Sequence, residues 1–155
     1  MKEPCLFCEI VTKKEKAHII WEDEKHIAFL SIFPNTKGFT VVIPKIHYAS
    51  YAFELSDTIY SELMIASKKV GLLLDRAFDE VARTGLIMEG YGVDHVHTKL
   101  IPMHGTAKFK KWEQVQVTKE KYFSEYEGYL SSHDCKIAAE KDLEMLAKKI
   151  RKIDL

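Results

Sequence analysis

The sequence has no excess of charge of either sign, since 23 lysines and arginines balance 23 aspartates and glutamates. A protein whose main partner is duplex nucleic acid usually carries a basic excess, and so does one that binds an anionic membrane surface. We therefore expect neither as the main partner. A small anionic ligand stays compatible with this composition, because it needs only two or three local charges.

No stretch of the chain approaches the roughly 18 apolar residues that a membrane-spanning helix requires. The first residues also lack the long apolar core of a secretory signal peptide. The three cysteines are an odd number, which argues against a framework of disulfide bonds. These absences together predict a cytoplasmic protein.

Glycine and proline are also scarce, with seven and four residues, too few for a fibrous or disordered chain. No low-complexity segment, internal repeat or Gly/Ser/Pro-rich linker divides the sequence. The 155 residues, of which 46% are hydrophobic, predict a single domain that buries its core without disulfides.

Short apolar segments in the first third of the chain predict β-strands. Ile19–Trp21 and Ile27–Leu30 are separated by a charged stretch, which is the pattern of a hairpin. Turn-forming residues at 34–38 lead into Phe39–Ile43, an apolar run rich in β-branched residues that predicts a buried strand.

Two helices and two more strands are predicted in the rest of the chain. Apolar residues at helical spacing run from Ser56, a good N-cap, to about residue 77. Leu86–Met88 and Val96–Ile101 are strand candidates, and residues 136–153 have the apolar stripe of a last helix. Because short turns between strands make them antiparallel, the predicted class is α+β.

One strand candidate carries a group of nitrogen bases. Side chains alternate along a strand, so His95, His97 and Lys99 would share one face. Two imidazoles and an ammonium can line a site for an anion, and neutral imidazole is a nucleophile near pH 7. The pattern is also compatible with a zinc site or with polar residues that point to solvent.

Four sequence pieces, in order, resemble the histidine triad family. These pieces are Cys5–Ile10, the first hairpin over residues 21–30, Gly38–His47 and His95–Pro102. The resemblance implies an α+β fold with a mainly antiparallel five-stranded sheet, one long helix and a C-terminal helical extension. Its core would span about residues 4–105, with residues 106–155 as the extension, and the domain would pair as a homodimer.

The resemblance also implies a reaction. Members of this family hydrolyse or transfer small nucleotides at the α-phosphorus, and the middle histidine of the triad is the nucleophile. That position is His97 here. Attack by imidazole would give a covalent nucleotidyl-histidine, which divides one difficult displacement into two easier ones.

Several positions depart from the family pattern. Lys99 replaces the third histidine, and it would bind phosphate as a cation. Because of this change, the alternative function is a protein of the same fold that binds nucleotides without turnover, or a zinc-stapled interaction protein. Phe39 replaces another active-site imidazole, for which His104 is a candidate substitute as a phosphate ligand. Ser31 replaces the ribose-binding aspartate, and with Phe29 it would contact the nucleoside.

The spacing Cys5-x-x-Cys8 is common in zinc sites. The resemblance implies a structural zinc ion held by Cys5, Cys8, His47 and His95. Two inert thiols and a redox pair are the alternatives, although the βαβ unit that usually carries a redox pair is not evident. Cys135 stands alone and is not expected to be a ligand.

The expected extension is rich in aromatic residues. They could stack on a base, but we expect them to pack against the sheet or across a dimer interface. The group consists of Phe109, Trp112, Tyr122, Phe123, Tyr126 and Tyr129.

Overall fold

The computed structural model describes residues 5–109 and 136–153. The elements follow in the order α1 (Leu6–Val11), β1 (His18–Glu22), β2 (His26–Leu30), β3 (Thr40–Pro44), α2 (Asp57–Ala77), β4 (Thr84–Ile87), β5 (Thr98–Pro102) and α3 (Glu140–Arg151), with 3-10 turns at Ala52–Glu54 and Ala107–Phe109. The strands form one antiparallel sheet in the order β1-β2-β3-β5-β4. The predicted α+β class and five-stranded sheet are therefore confirmed.

The sheet has a buried face on each side because side chains alternate along its central strands. On one side, alternate residues of β2, β3 and β5 pack against α2 and α3, in a core that includes Val42, Leu74, Leu100 and Ile150. On the other side, a smaller apolar cluster is formed where α1 packs against the sheet. It consists of Phe7, Ile10, Ile27, Phe29, Val41 and Ile43. The candidate site lies on this second side.

The long helix begins where the sequence predicts. The hydroxyl of Ser56 accepts a hydrogen bond from the backbone N–H of Ile59, and α2 follows from Asp57 to Ala77. The last helix is shorter than the predicted span of residues 136–153, since α3 covers Glu140–Arg151. Among the described residues, neither α2 nor any other helix is both long and apolar enough to cross a membrane.

The prediction of a strand at Val96–Ile101 was wrong at its start, because β5 begins at Thr98. The backbone carbonyl of Pro44, in the neighbouring strand, accepts a hydrogen bond from Nε2 of His95 at 2.9 Å instead of one from a strand backbone. Proline also has no N–H to donate to a ladder. His95 and His97 therefore lie in an irregular segment before the strand and not on it.

The short helix α1 is absent from the predicted elements. Its six residues give too few turns for a periodic signal. The predicted aromatic group and Cys135 lie outside the residues whose side chains the structure describes.

Candidate functional site

A pocket of about 290 Å³ lies between α1, the ends of β2 and β3, and the segment that leads into β5. Its wall is mainly apolar, with a few basic groups. The residues that line it are Leu6, Phe7, Ile10, Glu15, Lys16, Ala17, Phe29, Leu30, Ser31, Ile32, Phe33, Phe39, Val41, Tyr91, Gly92, Val93, His97 and Lys99. An apolar cavity with a few convergent polar groups is typical of a small-molecule site.

The imidazole of His97 is held in one tautomer by the backbone. Its Nδ1 lies 2.7 Å from the carbonyl oxygen of His95. Because a carbonyl can only accept, Nδ1 carries the proton, and Nε2 of the neutral ring keeps its lone pair. The ring also lies edge-on to Phe7, with centroids 5.4 Å apart.

The environment of His97 favours the neutral imidazole. Burial lowers the pKa of His97, and the nearby charge of Lys99 acts in the same direction. The hydrogen bond to His95 opposes these effects without reversing them. A neutral imidazole with a free Nε2 lone pair is the form that can act as a nucleophile.

Lys99 lines the same pocket and forms an ion pair with Glu89. Both side chains are largely buried, at 15% exposure for Lys99 and 9% for Glu89. Sequence reasoning identified Lys99 but missed Glu89. The only signal for Glu89 was a charged residue directly after the apolar run Leu86–Met88.

Phe29 and Ser31, the predicted nucleoside contacts, line the pocket together. Phe29 packs edge-on against Phe7, with ring centroids 5.5 Å apart. The hydroxyl of Ser31 accepts a hydrogen bond from the backbone N–H of Phe33 at 3.1 Å. Ser31 also borders a larger cavity of about 480 Å³ against α3, which does not contain His97.

His104, the predicted substitute phosphate ligand, does not line the pocket of His97. Its Nδ1 lies 3.0 Å from the carboxylate of Glu80, and its Nε2 lies 2.8 Å from the carbonyl of Lys37. The ring also packs against Phe78. These contacts connect the loop of His104 to the loops that carry Lys37 and Glu80. In the structure, His104 therefore packs between loops outside the pocket.

The four predicted metal ligands come together at the start of α1. One ligand atom from each of Cys5, Cys8, His47 and His95 lies within 4.8 Å of all the others. Nδ1 of His95 is 3.5 Å from Sγ of Cys5 and 3.6 Å from Sγ of Cys8. Nδ1 of His47 is 3.5 Å from Sγ of Cys8. These four residues could hold a metal ion.

The chemistry of this cluster fits zinc. Two thiols and two imidazoles form a ligand set that is common in structural zinc sites. Nε2 of His95 donates to the carbonyl of Pro44, which leaves Nδ1 as the nitrogen with a lone pair beside the thiols. A backbone partner of this kind commonly orients a metal-binding histidine.

Comparison with known proteins agrees with this geometry. The sequence model of the HIT domain matches residues 12–106. An uncharacterised HIT-like protein of Methanocaldococcus jannaschii is 32% identical over 115 residues, which cover 72% of this chain and 89% of that protein. The adenosine 5'-monophosphoramidase of Schizosaccharomyces pombe is 35% identical over 99 residues, which cover 63% of this chain and 73% of that enzyme.

Solved structures share the fold as well. A hypothetical histidine triad nucleotide-binding protein from Sulfolobus tokodaii has a TM-score of 0.70 and 27% identity, with 96% of this chain and 90% of that chain covered. A Zn-bound histidine triad family protein from Mycobacterium smegmatis has a TM-score of 0.67 and 20% identity, with 95% and 90% covered. The chain belongs to the histidine triad (HIT) family, whose superfamily consists of nucleotide-binding proteins and nucleotide hydrolases.

Proposed function

We propose that this chain hydrolyses or transfers small nucleotides at the α-phosphate through a covalent nucleotidyl intermediate on His97. The observation that carries the proposal is the state of His97, a buried imidazole whose Nδ1–H is bound to a carbonyl, so that Nε2 of the neutral ring keeps its lone pair. The ammonium of Lys99 in the same pocket adds the charge that a phosphate needs. A related chain from Schizosaccharomyces pombe bears the name of an adenosine 5'-monophosphoramidase, which fits this chemistry.

In the first step, the lone pair of Nε2 attacks the α-phosphorus and the bond to the leaving group breaks. Lys99 stabilises the negative charge on the phosphoryl oxygens as the transition state forms. In the second step, the oxygen of water or of another acceptor attacks the phosphorus, the bond to Nε2 breaks with its electron pair returning to the nitrogen, and the proton of the acceptor passes to solvent. His97 then returns to its neutral form, and the nucleotide leaves.

The apolar part of the pocket would hold the nucleoside. Leu6, Ile10 and Phe29 offer apolar surface for a base. Ser31 can exchange hydrogen bonds with a ribose hydroxyl, without the charge that an aspartate would add. These contacts are compatible with several bases, so we propose the substrate class and not a particular nucleobase.

We also propose that Cys5, Cys8, His47 and His95 hold one zinc ion. Support comes from the mutual distances of the four ligand atoms and from the Zn-bound relative from Mycobacterium smegmatis. A zinc ion there would crosslink the start of α1 to the segment before β5. Burial, followed by the neighbouring Cys5, raises the pKa of the Cys8 thiol, and a bound cation would favour the thiolate instead.

Pairing of two copies is a further part of the proposal. β4 is an edge strand of the sheet, and its residue Leu86 is exposed. Among the described residues no strand lies beyond β4, and an edge strand is suited to pair with a second copy. Sedimentation equilibrium should then give the mass of a dimer, and Leu86→Lys should shift it towards the monomer.

The test of the nucleotide reaction is release of AMP. The protein is incubated with adenosine phosphoramidate and with diadenosine triphosphate, and AMP is quantified by chromatography. We expect His97→Ala to lower the rate by at least about 10³-fold, the scale for loss of a covalent nucleophile. Equal release by both proteins, or binding of AMP by calorimetry without any turnover, would reject the reaction.

A matched control replaces another buried histidine. His26 is the first residue of β2, whereas the pocket is lined by residues at the other end of this strand. Its Nδ1 lies 3.2 Å from the carboxylate of Asp23. His26→Gln keeps a hydrogen-bonding side chain there and should leave AMP release within about twofold of the parent protein. A loss equal to that of His97→Ala would show that the assay reports folding and not the nucleophile.

A further inference from the structure

The two thiols of the metal cluster lie within reach of each other. Cys5 is the N-cap residue of α1, and Cys8 lies in the first turn of that helix. Side chains at this spacing are neighbours at the start of a helix, and the two Sγ atoms lie within 4.8 Å of each other. Both residues are half-buried and free of a disulfide in the structure. The pair therefore has the proximity that an intramolecular disulfide requires.

The surroundings of this pair differ from those of a dedicated oxidoreductase. The described strands are all antiparallel, so Cys5 and Cys8 do not belong to a βαβ unit. A disulfide itself needs only two thiols in reach and an oxidant. The arrangement thus suits a reversible bond within the chain, and not a catalytic redox centre.

In the reduced chain, the same two sulfurs face imidazoles from other parts of the fold. Nδ1 of His95 lies 3.5 Å from Sγ of Cys5 and 3.6 Å from Sγ of Cys8. Nδ1 of His47 lies 3.5 Å from Sγ of Cys8. The start of α1 supplies both thiols, while the loop after β3 and the segment before β5 supply the imidazoles. A metal ion held by all four would therefore crosslink α1 to the sheet.

Metal binding and disulfide formation exclude each other at these sulfurs. Zinc binds the thiolate form of cysteine, whereas a sulfur in a disulfide has neither the charge nor a free valence. Oxidation would leave His47 and His95 as the remaining ligands, only half of the set in a structural zinc site. The crosslink between α1 and the sheet would then be lost.

The short helix α1 depends on such a crosslink because little else fixes it. A helix of six residues is not stable by itself, and its buried residues are Phe7 and Ile10. These two side chains, with Leu6, form part of the wall of the pocket that contains His97. The state of the thiols would therefore determine how firmly this wall is held.

We propose that Cys5 and Cys8 form a reversible disulfide that competes with zinc for the two sulfurs, so that oxidation releases α1 from its crosslink to the sheet. The inference rests on the proposed zinc site and not on the reaction at His97. The oxidant that it requires is a low-molecular-weight disulfide such as oxidised glutathione.

The exchange proceeds in two steps. The sulfur of one cysteine attacks a sulfur of oxidised glutathione, the S–S bond of glutathione breaks, and one glutathione leaves with the electron pair and the proton of the thiol. The sulfur of the other cysteine then attacks the mixed disulfide, and the second glutathione leaves in the same way. The protein is oxidised by two electrons, and oxidised glutathione is reduced to two thiols.

The experiment titrates the parent protein in glutathione redox buffers, either with a zinc buffer or with a chelator. Trypsin cleaves after Lys2 and Lys13, so the mass and alkylation of one peptide, residues 3–13, report the disulfide. Half-oxidation is expressed as the ratio of oxidised glutathione to the square of reduced glutathione. With zinc at about 100 times its measured dissociation constant, we expect this ratio to be about 100-fold higher than with chelator, as linkage requires.

Hydrogen exchange measures how firmly α1 is held. The amides of α1 should exchange at least about tenfold faster in the oxidised, metal-free protein than in the reduced protein with zinc, while those of α2 should keep their rates. His47→Gln is the matched variant, since it keeps both thiols and removes one imidazole. At the same zinc concentration, its half-oxidation ratio should move by less than about threefold between zinc and chelator.

The possible results separate this inference from the proposed zinc site. A protein that binds zinc but forms no bond between Cys5 and Cys8, or forms it at one glutathione ratio with and without zinc, would overturn the competition and leave the zinc site standing. Unchanged exchange in α1 would overturn its release. If the reduced protein binds no zinc, the zinc site fails and this inference fails with it.

Discussion

The imidazole of His97 donates its Nδ1 proton to the backbone carbonyl of His95 across 2.7 Å. The side chain of His95 lies in the cluster of thiols and imidazoles, while its backbone fixes the tautomer of the neighbouring histidine. One residue thus connects the candidate zinc site to the candidate nucleophile. His95 is fully buried, with 0% exposure, so the surrounding residues restrict both its side chain and its backbone to these positions.

The tautomer of His97 is the first prediction. In protein with ¹⁵N-labelled histidine, the neutral ring of His97 should show a protonated Nδ1 and an unprotonated Nε2 in long-range ¹H–¹⁵N spectra. The physical reason is that a carbonyl oxygen can only accept a hydrogen bond. The resonance is assigned by its loss in His97→Gln, and a protonated Nε2 in the neutral ring would contradict the prediction.

Removal of one ligand from the zinc cluster is the second prediction. His47→Gln takes one imidazole from the set, and we expect zinc content to fall from about one ion per chain to a small fraction of that. The thermal midpoint should fall as well, because the ion would no longer crosslink α1 to the sheet. Elemental analysis of protein purified without chelator measures the first effect, and calorimetry measures the second.

The control for this variant is His104→Gln, which replaces an imidazole outside the cluster. It should keep the zinc content of the parent protein. Metal-free parent protein with free thiols at Cys5 and Cys8 would show that the cluster is not a zinc site.

The sequence predicted most of the sheet because the strands are apolar runs bounded by turn residues and proline. Phe39–Ile43 is such a run, and β3 covers Thr40–Pro44. The prediction that β5 extends to Val96 was wrong, because the alternation of apolar and polar residues does not show which backbone groups form hydrogen bonds. The carbonyl of Pro44 bonds to the side chain of His95, and this contact depends on the folded chain.

Parts of the candidate site could be found from the sequence to different extents. The resemblance brought Cys5, His47 and His95 together as ligands, and the structure places their atoms near one another. The sequence did not predict the contact of Glu89 with Lys99. The pairing of β4 with β5 and the burial of both side chains bring these two residues together. No periodic pattern in the sequence connects these two residues.

The contact between α3 and β1 gives the third prediction, a dependence on pH. The carboxylate of Glu140 forms an ion pair with Lys16 and lies 3.2 Å from Nε2 of His18. The hydrogen bond from Lys16 lowers the pKa of Glu140 below its ordinary value of 4.5. The pKa of Glu140 is lower in the folded state than in the unfolded state. The ionised carboxylate of Glu140 therefore stabilises the fold above about pH 4.5, and this stabilisation is lost as the pH falls through the pKa of the folded state.

Replacement of Lys16 by methionine tests this contact. In Lys16→Met the pKa of Glu140 should rise towards its ordinary value, as followed by carboxyl ¹³C shifts in a pH titration. Lys25→Met removes a lysine from a different ion pair, with Glu62, and should leave the titration of Glu140 unchanged. A Glu140 titration that is identical in the parent protein and Lys16→Met would refute the assignment.

Two glycines in the loop after β4 give the fourth prediction. Gly90 and Gly92 both have positive φ, at 78° and 101°, a region that L-residues rarely adopt. A Cβ on Gly90 would lie 2.8 Å from the backbone oxygen of Ser50, whereas a Cβ on Gly92 would meet no atom within 4 Å. The two positions therefore share the backbone strain but differ in steric contact.

Gly92→Ala should lower the free energy of unfolding by about 1–2 kcal/mol, the cost of a left-handed residue. Gly90→Ala should lose at least about 1 kcal/mol more, because the carbonyl of Ser50 belongs to the backbone and cannot move as a side-chain end can. Urea unfolding at equilibrium measures both values with one slope. Equal losses of stability in the two variants would contradict the steric argument.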